Sequence, residues 1–369
     1  MLSIVTKPTT SFSDQKPGTS GLRKKVSIFK QPNYCENFIQ AIFSCSALQA
    51  RTTGSSIVIG GDGRYYADHV LQLAVKIAAA NLTASDQIST PTIYVAKNGY
   101  LSTPACSAFI RTHKLFGGLL LTASHNPGGP TEDLGIKWNT ENGGPAPLSV
   151  TESISNYSKQ VEEYRIVEDL IIDPSTLSSQ DYSIDGAPLR VTVFDGVDDY
   201  VELMRELYDF DFLKTVIADY NISICFDAMY GIAGPYADRI FSELGISKES
   251  LLNTTPLPDF GGGHPDPNLV WAKDLVKRVL VDESYDIGAA ADGDADRNMI
   301  LSKGKFISPC DSVALIALFH DCLPQFSKHK LTGVARSMPT SAALDDVAEY
   351  LGIRVLLYSH WVEVLWFPY

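Results

Sequence analysis

No Cys-x-x-Cys pair occurs in the chain. Its six cysteines, Cys35, Cys45, Cys106, Cys225, Cys310 and Cys322, are widely scattered, so they read as buried thiols of a reducing compartment. Long apolar runs are also missing. The longest extends from Val313 to Phe319, far short of the ~20 residues a membrane helix requires. The first residues, Met1 to Pro8, lack the apolar core of a signal peptide. Positive charge is scarce: 30 Lys and Arg face 43 Asp and Glu, a net charge of −13, which argues against a basic nucleic-acid surface. These absences lead us to expect a cytosolic protein with neither a nucleic-acid nor a membrane partner. An anionic ligand would have to be held by local cations against the global field. Gly-x-Ser-x-Gly is absent, and Pro127 stands where a Ser-x-x-Lys motif starting at Ser124 would need its lysine.

With 45% hydrophobic residues, the 369-residue chain can bury sizeable cores, and roughly 150 residues per domain suggests two to three domains. Strand-like runs end repeatedly in Asp or Gly loops: Ile57 to Gly63, Leu119 to Ser124, Ile222 to Asp227 and Ile287 to Asp292. Between them lie helical spacings, as at Val70, Leu71, Leu73, Ala74, Ile77 and Ala78, and at Tyr200, Val201, Met204, Leu207 and Tyr208. The recurrence predicts an α/β protein of related mixed units. We place a first boundary near Asp195-Gly196, after an irregular polar stretch from Asp173 to Arg190. A second falls within His320 to Lys330, giving units 1–195, 196–319 and 320–369.

Two segments carry chemistry. In Ala291 to Arg297, aspartates occupy alternate positions, Asp292, Asp294 and Asp296. In an extended segment such residues point to one side, and three carboxylates there suit a hard divalent cation. An EF-hand fails, because its sixth position is Arg297 and its twelfth is Lys303. An arginine directly after the acids suits a metal working beside a phosphate. The alternative is a solvated acidic turn. The second segment follows the apolar Leu119-Leu120-Leu121 and runs from Thr122 through Ser124, His125 and Asn126 into the tight loop Pro127 to Pro130. Ser124 thus sits at a strand end, where open α/β sheets present their chemistry, although a loop serine is more often a turn residue.

Together, Thr122 to Pro127 and Asp292 to Arg297 resemble the α-D-phosphohexomutases. Further stretches resemble the phosphoglucomutase branch: Gln15 to Lys24, Gly60 to Arg64, Gly135 to Asn139, Gly143 to Pro147, His264 to Leu269 and Ala335 to Ser341. The resemblance covers the chain to about Ile353 and implies tandem mixed α/β domains, two complete and a third truncated. It also implies an isomerase that interconverts glucose 1-phosphate and glucose 6-phosphate through glucose 1,6-bisphosphate. Ser124 would carry the phosphoryl group and, with Asp292, Asp294 and Asp296, bind Mg²⁺. Arg23 and Arg297 would contact the phosphosugar. His125 and Lys137 match positions where protons are handled, and Asp62 and Arg64 read as structural support. One departure lies at Ala295, where the family usually has Gly; a methyl group is tolerated if the backbone there does not need positive φ.

From Tyr358 to Tyr369 the sequence leaves the family pattern. Codons for Tyr358 to Trp366, read one base later, can encode the family segment Ile-Pro-Thr-Gly-Trp-Lys-Phe-Phe-Gly. The expectation is therefore an out-of-frame tail, the alternative a divergent one. An out-of-frame tail would leave this chain short of sugar- and distal-phosphate-binding loops. The second functional reading is accordingly a catalytically impaired fragment or a non-enzymatic scaffold homologue.

Overall fold

A computed structural model describes residues 2–18, 21–84 and 89–358, the side chains of 327 and 328 excepted. Thr19 and Ser20 of the first motif, and the tail from Ser359 to Tyr369, lie outside the described residues.

The first unit is built on a seven-stranded sheet in the order Leu22–Lys25, Asp133–Thr140, Gly117–Leu121, Ile57–Gly61, Thr92–Tyr100, Ala187–Phe194, Ser178–Ile184. The four strands from Gly117–Leu121 to Ala187–Phe194 are parallel, and antiparallel strands flank them. Both faces are covered, which is why the central strands read as unbroken apolar runs. Ile57, Ile59, Leu119 and Leu121 pack beneath the helices Tyr34–Ser44 and Ala67–Leu82. Val58, Leu120 and Ala96 face the helix Thr103–Thr112. That second cluster also takes in Ile232 and Tyr236, so it joins the first unit to the next.

The second unit holds a five-stranded sheet in the order Leu251–Leu252, Ile224–Asp227, Ile287–Ala291, Asn298–Ser302, Lys305–Ile307. Its first three strands are parallel and the last two continue antiparallel. Beyond it, Gly333–Ser337 pairs in parallel with Arg354–Tyr358 across the helix Ala343–Leu351, a βαβ unit braced by the Arg336–Asp345 ion pair. No helix among the described residues is long and apolar enough to cross a membrane.

Three expectations change. The stretch from Asp173 to Arg190 is not irregular throughout, because Ser178–Ile184 and Ala187–Phe194 form a hairpin. Its turn is Asp185-Gly186, both at positive φ, a pair well suited to a two-residue hairpin loop. Helix Pro309–Leu318, assigned by the 319/320 boundary to the second unit, packs Ala314 and Ala317 against Leu344 and so shares the third unit's core. Cys310 and Cys322 are exposed, whereas the other four cysteines are buried.

Candidate active site

The carboxyl ends of three neighbouring parallel strands deliver the first unit's contribution: Asp62 and Arg64 after Ile57–Gly61, Ser102 and Thr103 after Thr92–Tyr100, and Thr122 to Ser124 after Gly117–Leu121. This is the edge of an open α/β sheet where ligands generally bind. The Thr122 hydroxyl donates to Asp62 Oδ2 (2.6 Å) and accepts the Ser124 amide (2.8 Å). Ser124 then adopts φ 56°, a left-handed conformation that costs about 1–2 kcal/mol in a residue with a Cβ. Arg64 holds it there. Its wholly buried guanidinium forks onto Asp62 and donates to the carbonyls of Ser124 (2.8 Å), Asn126 (3.3 Å) and Asp133 (2.9 Å). Phe260 of the second unit covers it, with the guanidinium carbon 5.1 Å from the ring centroid.

The acidic segment is a turn between Ile287–Ala291 and Asn298–Ser302, not the extended run expected from the alternation. Asp292 organises it: Oδ1 accepts the amides of Asp296 and Arg297, both at 3.0 Å. The turn, rather than a two-residue period, brings the three carboxylates together. Ala295 sits at φ 62°, so the condition under which its methyl would be free of strain is not met. The methyl packs instead among the alanines Ala228, Ala233 and Ala291. Gly293 faces the serine loop so closely that a Cβ would stand 2.6 Å from the Ser124 carbonyl oxygen.

The Ser124 hydroxyl donates to Asp292 Oδ2 at 3.0 Å, across 168 residues of sequence. Asp294 Oδ2 accepts the Thr103 hydroxyl at 2.8 Å, while its buried Oδ1 has no hydrogen-bond partner. Asp292, Asp294 and Asp296 each offer one oxygen, and the three lie within 4.8 Å of one another. A buried, orphaned carboxylate oxygen beside two further carboxylates is an arrangement a hard cation would complete, and the all-oxygen donor set fits Mg²⁺. Electrostatics agree. Burial, then repulsion from Asp294 and Asp296, pushes Asp292 up to about 9. Asp296 is raised as well, first by loss of hydration and then by Asp294. Although its side chain reaches solvent, it sits deep enough among protein atoms for dehydration to dominate.

Cations ring the acids. Lys137, Arg297 and Arg23 each draw Asp296 back down. Lys137 projects from the strand Asp133–Thr140 and is only 7% exposed. Arg23 lies on Leu22–Lys25, and its buried Nε has no partner; burial is the main influence lowering its pKa, with Asp294 opposing. Arg297 is exposed. The His125 Nδ1 stands 3.4 Å from the Ser124 Oγ, and burial followed by Arg297 holds this histidine below its ordinary range. Its ring is 6.2 Å from that of His264, which stacks on Trp271.

All eight site residues read from the sequence therefore meet at the seam between the two units. Sequence reasoning gave no role to Thr103, Thr122 or Phe260, and it quoted His264 only within a motif. Ser102-Thr103-Pro104 does carry a helix-start signal, a capping serine before a first-turn proline. Nothing local announces what Thr103 touches.

Family models describing the phosphoglucomutase/phosphomannomutase α/β/α domains I and II match residues 14–165 and 198–305 respectively. The chain belongs to the phosphoglucomutase/phosphomannomutase family. A probable cytoplasmic phosphoglucomutase of Arabidopsis thaliana is 51% identical over 94% of this chain and 60% of its own length. A phosphoglucomutase of Schizosaccharomyces pombe is 49% identical over 95% of this chain and 61% of its own length. The open-form crystal structure of the exocytosis-sensitive phosphoprotein parafusin, a phosphoglucomutase from Paramecium, superimposes with a TM-score of 0.88. It is 42% identical and covers 97% of this chain and 64% of that one. The chain thus spans about 60% of the length of the curated relatives it matches.

Mg²⁺ at about one hundred times its Kd should stabilise the fold by about 2.7 kcal/mol, read as a rise in melting temperature. Asp294→Asn should lose most of that rise together with most of the calorimetric affinity. An unchanged Mg²⁺ affinity in the variant would reject the site.

Proposed function

We propose that this chain carries the phosphoryl-transfer centre of a phosphoglucomutase. The observation that supports the reading best is the Ser124 hydroxyl bonded to Asp292 from another unit, among three carboxylates that each offer one oxygen within 4.8 Å of the others. In the proposed cycle Ser124 is phosphorylated. Its Oγ–P bond breaks as the phosphorus bonds to O6 of glucose 1-phosphate; the O6 hydroxyl proton passes to a base and Oγ takes up a proton. The resulting glucose 1,6-bisphosphate reorients, and its O1–P bond breaks as that phosphorus bonds to Ser124 Oγ, which gives up its proton while O1 takes one up. Glucose 6-phosphate leaves.

Bound at Asp292, Asp294, Asp296 and Ser124, Mg²⁺ would neutralise charge developing on the transferring group. The chain's own residues do the remainder. Arg64 and Thr122 fix the Ser124 backbone so that the hydroxyl faces Asp292. Arg23 and Arg297 offer planar donor forks to phosphate oxygens. His125, held neutral near pH 7 by burial and Arg297, can accept a proton beside Ser124. Lys137 supplies a buried cation or a second proton carrier. The same reading divides the chain near 195/196 and puts helix Pro309–Leu318 with the third unit. It also makes the protein cytoplasmic, as several of its relatives are named.

The reading is tested by incubating purified chain with Mg²⁺, catalytic glucose 1,6-bisphosphate and either glucose 1-phosphate or mannose 1-phosphate. Formation of glucose 6-phosphate in preference to mannose 6-phosphate supports it; preference for mannose contradicts it.

A further inference from the structure

Asp294 is gripped twice by one residue 191 positions away. The Thr103 hydroxyl donates to Asp294 Oδ2 at 2.8 Å, and the Thr103 amide donates to the Asp294 carbonyl at 2.9 Å. Both residues are buried, Thr103 at 8% and Asp294 at 1% exposure. Thr103 opens the helix Thr103–Thr112, whose cap, Ser102, accepts the Ala105 amide at 3.2 Å. The first amides of a helix have no partner within it, so one of these orphans is satisfied here by a carbonyl of the other unit. The Ser102 amide is satisfied likewise, by the Tyr236 hydroxyl at 3.2 Å. The positive end of the helix lies against the Asp294 carboxylate.

The consequence for Asp294 is geometric. Its Oδ2 is engaged by Thr103, and the buried Oδ1 is the oxygen left without a hydrogen-bond partner in a residue that offers one oxygen to the cluster with Asp292 and Asp296. We infer that Thr103 is a positioning residue for the metal, setting which oxygen of Asp294 is presented. Partners that orient ligating carboxylates from behind commonly govern affinity in this way. This rests on the reading of the three aspartates as a Mg²⁺ site.

The test compares the whole chain with Thr103→Val, which keeps shape and loses the donor, and Thr103→Ser, which keeps the donor. Tyr236→Phe removes the neighbouring bond between units and leaves Thr103 in place. Mg²⁺ affinity is read by calorimetry, and metal-free melting temperature alongside. We expect Thr103→Val to bind Mg²⁺ about 10- to 100-fold more weakly, Thr103→Ser to recover most of the loss, and Tyr236→Phe to match the wild type. Should valine prevent folding, Thr103→Ala repeats the comparison. Wild-type affinity in Thr103→Val, or an equal loss in Thr103→Ser or Tyr236→Phe, would overturn the inference while leaving the metal site standing. A wild-type chain that binds no Mg²⁺ would overturn both.

Discussion

Replacing Arg64 by alanine should destabilise the chain by about 3–5 kcal/mol, the usual cost of breaking a buried ion pair from one side. Asp62 would be left charged and fully buried, keeping Thr122 as a partner. The carbonyls of Ser124, Asn126 and Asp133 would lose their shared donor, and Phe260 its cation. Lysine should rescue little, since a point charge cannot replace five donors held in one plane. Denaturant melts of the wild type, Arg64→Ala and Arg64→Lys measure this. A loss under about 1 kcal/mol would show that the serine loop holds its left-handed turn without the brace.

Ser124→Ala should lower turnover by on the order of 10⁴-fold or more, as removal of a covalent nucleophile does elsewhere. No other hydroxyl of the loop is free to substitute, because Thr122 is committed to Asp62 and to the Ser124 amide. The fold should survive, since the hydroxyl's loss costs the bond to Asp292 and not the Arg64 brace on the Ser124 carbonyl. A coupled assay with a circular-dichroism check on folding decides the matter. Activity within tenfold of the wild type would move the acceptor to another residue.

Much of the centre was legible because its chemistry is concentrated in two short segments. The serine loop and the acidic turn each hold their decisive side chains within about six residues, and the apolar runs before them announce the strands that place them. The alternation of the acids nevertheless suggested the wrong conformation. A carboxylate accepting two amides of its own loop, as Asp292 does, turns the chain where periodicity alone reads extension. The hairpin at Ser178–Ile184 was hidden by its polar, solvent-facing edge strand, although Asp185-Gly186 and the alternation in Ala187–Phe194 were available signals. Left-handed backbone at Ala295 could not be read from an alanine. Least legible were contacts made only by docking: Thr103 on Asp294, Phe260 on Arg64, and helix Pro309–Leu318 against Leu344. Such pairings depend on how whole units meet, and no local propensity encodes that.

We propose that Ser124, held by the first unit and facing the acids of the second, is a phosphoryl acceptor. Phosphate mapping by mass spectrometry decides this, after the folded chain is incubated with glucose 1,6-bisphosphate and Mg²⁺. We expect a single phosphate, on Ser124, that requires Mg²⁺ and is absent from Ser124→Ala. Phosphate on another residue with Ser124 unmodified would overturn the assignment.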